Sequence, residues 1–212
     1  VLCIDLFCGL GGWADGFLAE GFDVIGFDIE RRPYPGRLVL QDVLTIHGSQ
    51  FRDAACIVAS PPCQFFSYTA MPWSRAKRIA EEVRNNPARL EQELALFNAC
   101  FRIQREASEA AGRYIPMVVE NVVGAQKWLG PAKWHYGAFY LYGDVPAIMP
   151  FSAGVKGSAD QLGGDRRTWF DGGLTKFGSR SNARKAASAM IAKIPYPLAN
   201  HIARAFKDWK EK

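Results

Sequence analysis

The chain has 212 residues, which fits one domain with room for a sizeable core. Its 49% apolar and 22% charged residues exclude a disordered or fibrous class, and no run approaches the roughly 20 apolar residues of a membrane span. The net charge of +5 is uneven: between Gly154 and Lys193 eight basic residues face three acids, the kind of clustering a phosphate-binding face needs.

Short β-branched runs alternate with helical patterns through the first half, which predicts an α/β fold with a mostly parallel, doubly wound sheet. Val1–Phe7 reads as the first strand. It runs into the glycine turn Asp5-Leu6-Phe7-Cys8-Gly9-Leu10-Gly11-Gly12. Glycines there let backbone approach a ligand closely, and a helix start offers N–H groups, so a nucleotide-like cofactor is indicated. Trp13, Phe17 and Leu18 continue as a helix that Gly21 closes. Asp23–Ile29 reads as the second strand, with Asp28 and Glu30 at its end as candidate acceptors for ribose hydroxyls. Arg37–Gln41 reads as the third, followed by Asp42. Ala55–Ser60 reads as the fourth.

After it comes Ser60-Pro61-Pro62-Cys63-Gln64-Phe65-Phe66-Ser67, a proline-stiffened loop holding one thiol at the functional edge of the sheet. An ordinary thiol is only about 3% ionised at neutral pH, so a reactive one needs local help. The stretch Phe65–Ile79, with Ser67, Arg75, Lys77 and Arg78, is expected to be a loop that closes over a substrate. A long helix follows from about Pro87 to Ala111, then a fifth strand over Pro116–Glu120 that ends in Glu120-Asn121-Val122. Neighbouring fourth and fifth strands bring an acid beside the thiol, the pairing required for attack on an electron-poor heterocycle. Phe139–Tyr142 is strand-like, Gly154–Arg180 reads as loops around short strands, and a last helix begins near Pro197. Five cysteines without a C-x-x-C pair indicate neither disulfide framework nor metal, and they suit a reducing cytoplasm. No basic-then-apolar signal segment opens the sequence.

The ordered set of the glycine turn, Pro61-Pro62-Cys63-Gln64 and Glu120-Asn121-Val122 resembles the cytosine-C5 DNA methyltransferase family, in a compact, phage- or mobile-element-type form. The match covers about residues 1–145, with a weaker one over 186–206. The resemblance implies a Rossmann-like sheet with an antiparallel seventh strand, S-adenosylmethionine as methyl donor and S-adenosylhomocysteine as product. It implies that Cys63 is the nucleophile, Glu120 the partner of cytosine N3, Asn121 a brace for the thiol loop and Pro62 its rigid neighbour. Cofactor contacts are implied for Asp5, Leu6, Phe7, Gly9, Gly11, Gly12, Asp28, Ile29, Glu30, Asp42, Val43, Pro61 and Lys193. Gln64, Ser67, Arg75, Arg166, Arg167 and Arg180 are the candidates for nucleic-acid contact.

Three departures qualify the likeness. The family's Gln-x-Arg-x-Arg run is replaced by the stretch from Trp134 to Leu141, leaving Arg166 or Arg167 as substitute cations. The recognition region is reduced to residues 151–186, between a catalytic cofactor-binding part (1–150) and closing C-terminal helices (187–212). Lys193 stands where the family has Gly-Asn-Ser/Ala-Val, a place where a lysine suits an extra carboxylate, so carboxy-S-adenosylmethionine and a carboxymethyl product stay open. DNA is the expected substrate of a monomeric enzyme, with a partner protein as an optional source of specificity. RNA cytosine methylation and a non-catalytic nucleic-acid-binding scaffold are the competing readings.

Overall fold

A computed structural model describes residues 1–68, 71–151 and 182–209. Its centre is a seven-stranded sheet in the order β3-β2-β1-β4-β5-β7-β6, with β1 Leu2–Leu6, β2 Asp23–Asp28, β3 Arg37–Leu40, β4 Cys56–Ala59, β5 Met117–Asn121, β6 Trp134–Tyr136 and β7 Phe139–Gly143. The first five strands pair in parallel, while β7 lies antiparallel between β5 and β6. This is the doubly wound, Rossmann-like arrangement expected from the sequence, including the reversed strand. The central β4 and β5 are buried at every position, as strands covered on both faces must be.

Helices are α1 Gly12–Ala19, α2 Trp73–Asn85, α3 Pro87–Ala111, α4 Gln126–Leu129, α5 Asn182–Ala192 and α6 Tyr196–Lys207. Pro87 opens α3 in the first turn and Gly112, at φ 64°, ends it in the left-handed conformation. On one face of the sheet, Trp13 and Phe17 of α1 and Leu198, Ile202 and Phe206 of α6 pack on Cys3, Val24, Val58 and Leu141. On the other, Phe97, Cys100 and Ile103 of α3 cover Ile4, Ile57, Met117 and Val119. Each such side chain, fully buried, contributes about 1.5–3 kcal/mol. Glu20 fastens α6 to α1, accepting from Asn200 Nδ2 at 2.7 Å and Arg204 Nε at 2.8 Å.

Two features depart from the sequence reading. The stretch expected to be loop as far as Ile79 is helical from Trp73, because Ala76, Ile79, Ala80 and Val83 give it an apolar flank against α3. The aromatic run after Gly137 is the second half of a hairpin whose first strand, β6, carries a weak alternating signal in only three residues. Among the described residues no helix is long and apolar enough to cross a membrane.

The order in which strands are laid down reverses between β1 and β4: β2 and β3 lie on one side, β5 on the other. In open α/β sheets the crevice at the carboxyl ends of the strands, at that switch point, is where ligands bind. All three sequence motifs stand there.

Candidate functional site

The first half of the site is the turn between β1 and α1. Gly11 caps α1 at φ 72°, a conformation costly for any other side chain, and no side chain caps the first turn of that helix. Phe7, at φ 58°, is the one non-glycine residue with positive φ among the described residues. Asp28 clips this turn to the end of β2: its Oδ2 accepts from the Gly9 N–H at 3.0 Å and its Oδ1 from the Glu30 N–H at 2.9 Å. Both oxygens of Asp28 thus accept from backbone. Glu30, next along, is exposed and pairs with Arg32. Ile29 between them is 73% exposed, an unusual place for a large apolar side chain. Asp42 is exposed and its Oδ1 accepts from the Leu44 N–H at 2.9 Å, capping a short 3-10 turn in which Val43 is buried. Leu6 is buried in the core.

Asp5 lies fully buried beneath the turn. Its Oδ2 accepts from the Tyr34 hydroxyl at 3.0 Å, and its Oδ1 has no partner. Burial pushes its carboxyl up to about 8; the Tyr34 hydrogen bond opposes that and the Asp28 charge adds to it. Burial, with the charges of Asp5 and Asp28, likewise raises the Cys8 thiol, which is inert at neutral pH. Tyr34 is the residue that sequence reasoning missed. It comes from the eight residues joining β2 to β3, where parallel strands ordinarily need a dozen or more. Its ring fills the place over Gly26, where a Cβ would stand 2.5 Å from Cζ, and Pro35 presses on Gly11 at 2.4 Å from such a Cβ. A glycine in mid-strand marks close approach by another group, and that was the legible signal.

The second half is the loop after β4. Cys63 is half-buried there, whereas Cys3, Cys8, Cys56 and Cys100 are buried. Pro61 is buried and Pro62 exposed. The Cys63 carbonyl accepts from the Phe66 N–H at 3.0 Å and the Ser67 hydroxyl at 2.8 Å, so Ser67 closes the turn that presents the thiol. Phe66 anchors the loop in the interior, 1% exposed. Asn121, fully buried at the end of β5, donates from Nδ2 to the Pro61 carbonyl at 3.3 Å and accepts at Oδ1 from the Val122 N–H at 2.9 Å. Glu120, 9% exposed, precedes it. Gly124 touches the same loop: a Cβ there would stand 1.9 Å from the Phe66 carbonyl oxygen.

The turn from Ala192 to Pro195 seats on the start of α1, with the Ile194 nitrogen 2.4 Å from where a Gly12 Cβ would be. Lys193 lies in that turn, and its ammonium meets Asp15 of α1 at 2.7 Å. A partner for the lysine is therefore present within the chain, and the structure lends no support to a carboxylated cofactor. Gln64 and Arg75 are exposed, the latter on α2 rather than on a loop. Arg166, Arg167 and Arg180 lie outside the described residues.

A glycine turn and carboxylates at β1–β3, and a thiol loop braced by the Asn that follows Glu120 at β4–β5, make up a two-part candidate site across a topological switch point. No protein-family profile matches the sequence, and no curated protein does. Solved structures similar to part of it include a prophage-encoded Escherichia coli protein assigned as a DNA modification methyltransferase, at 21% identity and TM-score 0.42 over 61% of this chain and 34% of that one. The Dnmt2 methyltransferase of S. pombe is similar at 15% identity and TM-score 0.39, over 60% of this chain and 36% of that one. The Entamoeba histolytica methyltransferase EhMeth is similar at 16% and TM-score 0.46, over 74% and 57%. The chain thus spans about a third to just over half the length of these proteins.

Proposed function

We propose that the chain is a cytosine-C5 methyltransferase of nucleic acid, with DNA as its substrate and S-adenosylmethionine as its methyl donor. The observation that carries this reading is the bond from buried Asn121 to the Pro61 carbonyl, which ties the Cys63 loop to the strand end bearing Glu120. The residues of the first half fit the donor. Glu30, exposed at the end of β2, suits the ribose hydroxyls, with Asp28, each of whose oxygens keeps a further lone pair, as the other candidate. Ile29 offers an apolar surface for a purine ring, and Gly9, where a Cβ would meet nothing nearer than the Phe7 carbonyl oxygen at 4.0 Å, leaves room for backbone approach.

S-adenosylmethionine, when bound, supplies a methyl group made electrophilic by its sulfonium. The work of this chain's residues concerns the pyrimidine, extruded from its stack at a cost of roughly a few kcal/mol. Cys63 Sγ, as thiolate, adds to C6 and the electron pair of the C5–C6 bond moves to C5. Glu120, protonated, hydrogen-bonds N3 and takes up the charge that develops there. C5 then accepts the methyl group; a base removes the C5 proton, and the returning pair expels the Cys63 thiolate.

The test is incubation with methyl donor and DNA, or RNA of the same sequence, containing 5-fluorocytosine, which cannot lose its C5 substituent. A covalent adduct with DNA is expected from the native protein and none from Cys63→Ala. An adduct with RNA alone would move the substrate to RNA. No adduct and no transferred methyl with either polymer would refute the reading.

A further inference from the structure

One lysine–tryptophan pair touches the Cys63 loop, and a second stands on the helix that follows the loop in sequence. On α2, which begins ten residues after the thiol, Lys77 Nζ stands 5.4 Å from the centre of the Trp73 ring, at the i,i+4 spacing that makes such side chains neighbours. On α4, Lys127 Nζ stands 4.6 Å from the Trp128 ring. Trp128 in turn meets Phe65, two residues after Cys63, with ring centres 6.5 Å apart. Trp73 is 73% exposed and Tyr68, between it and the thiol in sequence, 44%. An indole so open at the surface of a helix that already has an apolar flank on α3 is not explained by packing.

The helix that carries Trp73 is net positive. Within α2, Arg75, Lys77, Arg78 and Arg84 face Glu81 and Glu82, and the Arg78–Glu82 pair at 3.6 Å accounts for one acid. Trp73, Lys77 and Arg84 fall along one flank of the helix, spaced over about 16 Å at 1.5 Å per residue. Aromatic faces next to cations, occurring on two helices, suit a polyanion whose units carry planar rings. A peptide with acidic residues would use the cations and leave the rings idle. In continuous duplex the base faces are already stacked on one another. We infer that Trp73–Lys77 and Lys127–Trp128 form a platform that grips an unpaired nucleic-acid strand, its bases stacking on the indoles and its phosphates meeting the lysines. This deepens the proposed function, on which it rests for the nature of the polymer, and it gives the nucleic-acid contacts a place outside the basic 154–193 segment.

The platform does not require cytosine to be read, so the test uses a short single-stranded oligothymidylate, without methyl donor, followed by tryptophan quenching and by anisotropy of a labelled end. Native protein is expected to bind the single strand tighter than the matching duplex. Trp73→Ala should weaken single-strand binding about tenfold. Trp128→Phe, which keeps a ring against Phe65, should weaken it less, and Lys77→Gln with Lys127→Gln should flatten the salt dependence. Unchanged affinity in Trp73→Ala with an unchanged melting curve would overturn the inference, as would tighter binding of duplex than of single strand. Failure of transferase activity leaves these binding results standing, so the two claims fall separately.

Discussion

The two halves of the crevice are built by opposite means. Around the thiol, the parts are locked by buried contacts: Asn121 on Pro61, Phe66 in the interior, Gly124 against the Phe66 carbonyl. Around the glycine turn, the acids at the strand ends, half-buried Asp28 and exposed Asp42, accept from nearby backbone, Asp28 from Gly9 and Glu30, Asp42 from Leu44. A nucleophile has to be held within a fraction of an ångström of its target. A cofactor that enters and leaves needs groups that can exchange a local partner for a ligand at little cost, since a surface hydrogen bond given up to water or ligand changes the free energy by only about 1 kcal/mol.

The contrast is open to attack from its strongest point downward. Cys63→Ala should reduce methyl transfer by at least about a thousandfold while leaving donor affinity intact, measured by turnover and by equilibrium binding. Gly124→Ala should displace the thiol loop and lower kcat by about a hundredfold, again with unaltered donor affinity. A loss of donor binding in that variant would erase the distinction between the halves. Glu30→Gln should do the reverse, raising the donor Kd about tenfold with little change in kcat, since a hydrogen bond to a charged group contributes about 1.5–3 kcal/mol.

The pH dependence of folding sharpens the comparison further. Asp5 is held protonated in the folded chain up to about pH 8 and ionises near 4 once unfolded. Between these values the folded state binds the additional proton, so this group's contribution to stability is full below the lower value and is lost as pH rises to about 8. Asp5→Asn should remove that slope, seen in denaturant midpoints between pH 5 and 8. The smallest effect belongs to the Lys193–Asp15 pair, whose side chains are 32% and 35% exposed. Lys193→Ala should cost at most about 1 kcal/mol and shift the melting temperature by a few degrees or less.

Much of this site was legible in the sequence because its parts are local. The glycine turn, the Pro61-Pro62-Cys63 loop and Glu120-Asn121 are each contiguous, and strand alternation placed them at one edge of the sheet. The bounds of α3 coincide with the sequence reading, because Pro87 and Gly112 mark them chemically. What escaped was non-local. Tyr34 acts on Asp5 and on Gly26 across a crossover whose shortness is visible only once β2 and β3 are paired. The helical character of Trp73–Asn85 was hidden by its charges, and its apolar flank has meaning only against α3. The partner of Lys193 stands far away in sequence, on α1.

The short link between the second and third strands makes the chain economical and brittle at one spot. Where a longer crossover would spread its grip over many side chains, a single phenol wedges the floor of the glycine turn in place. Failure of that wedge would be abrupt rather than graded: without Tyr34, a buried acid loses its one donor and a strand glycine faces an empty notch beneath the glycine turn.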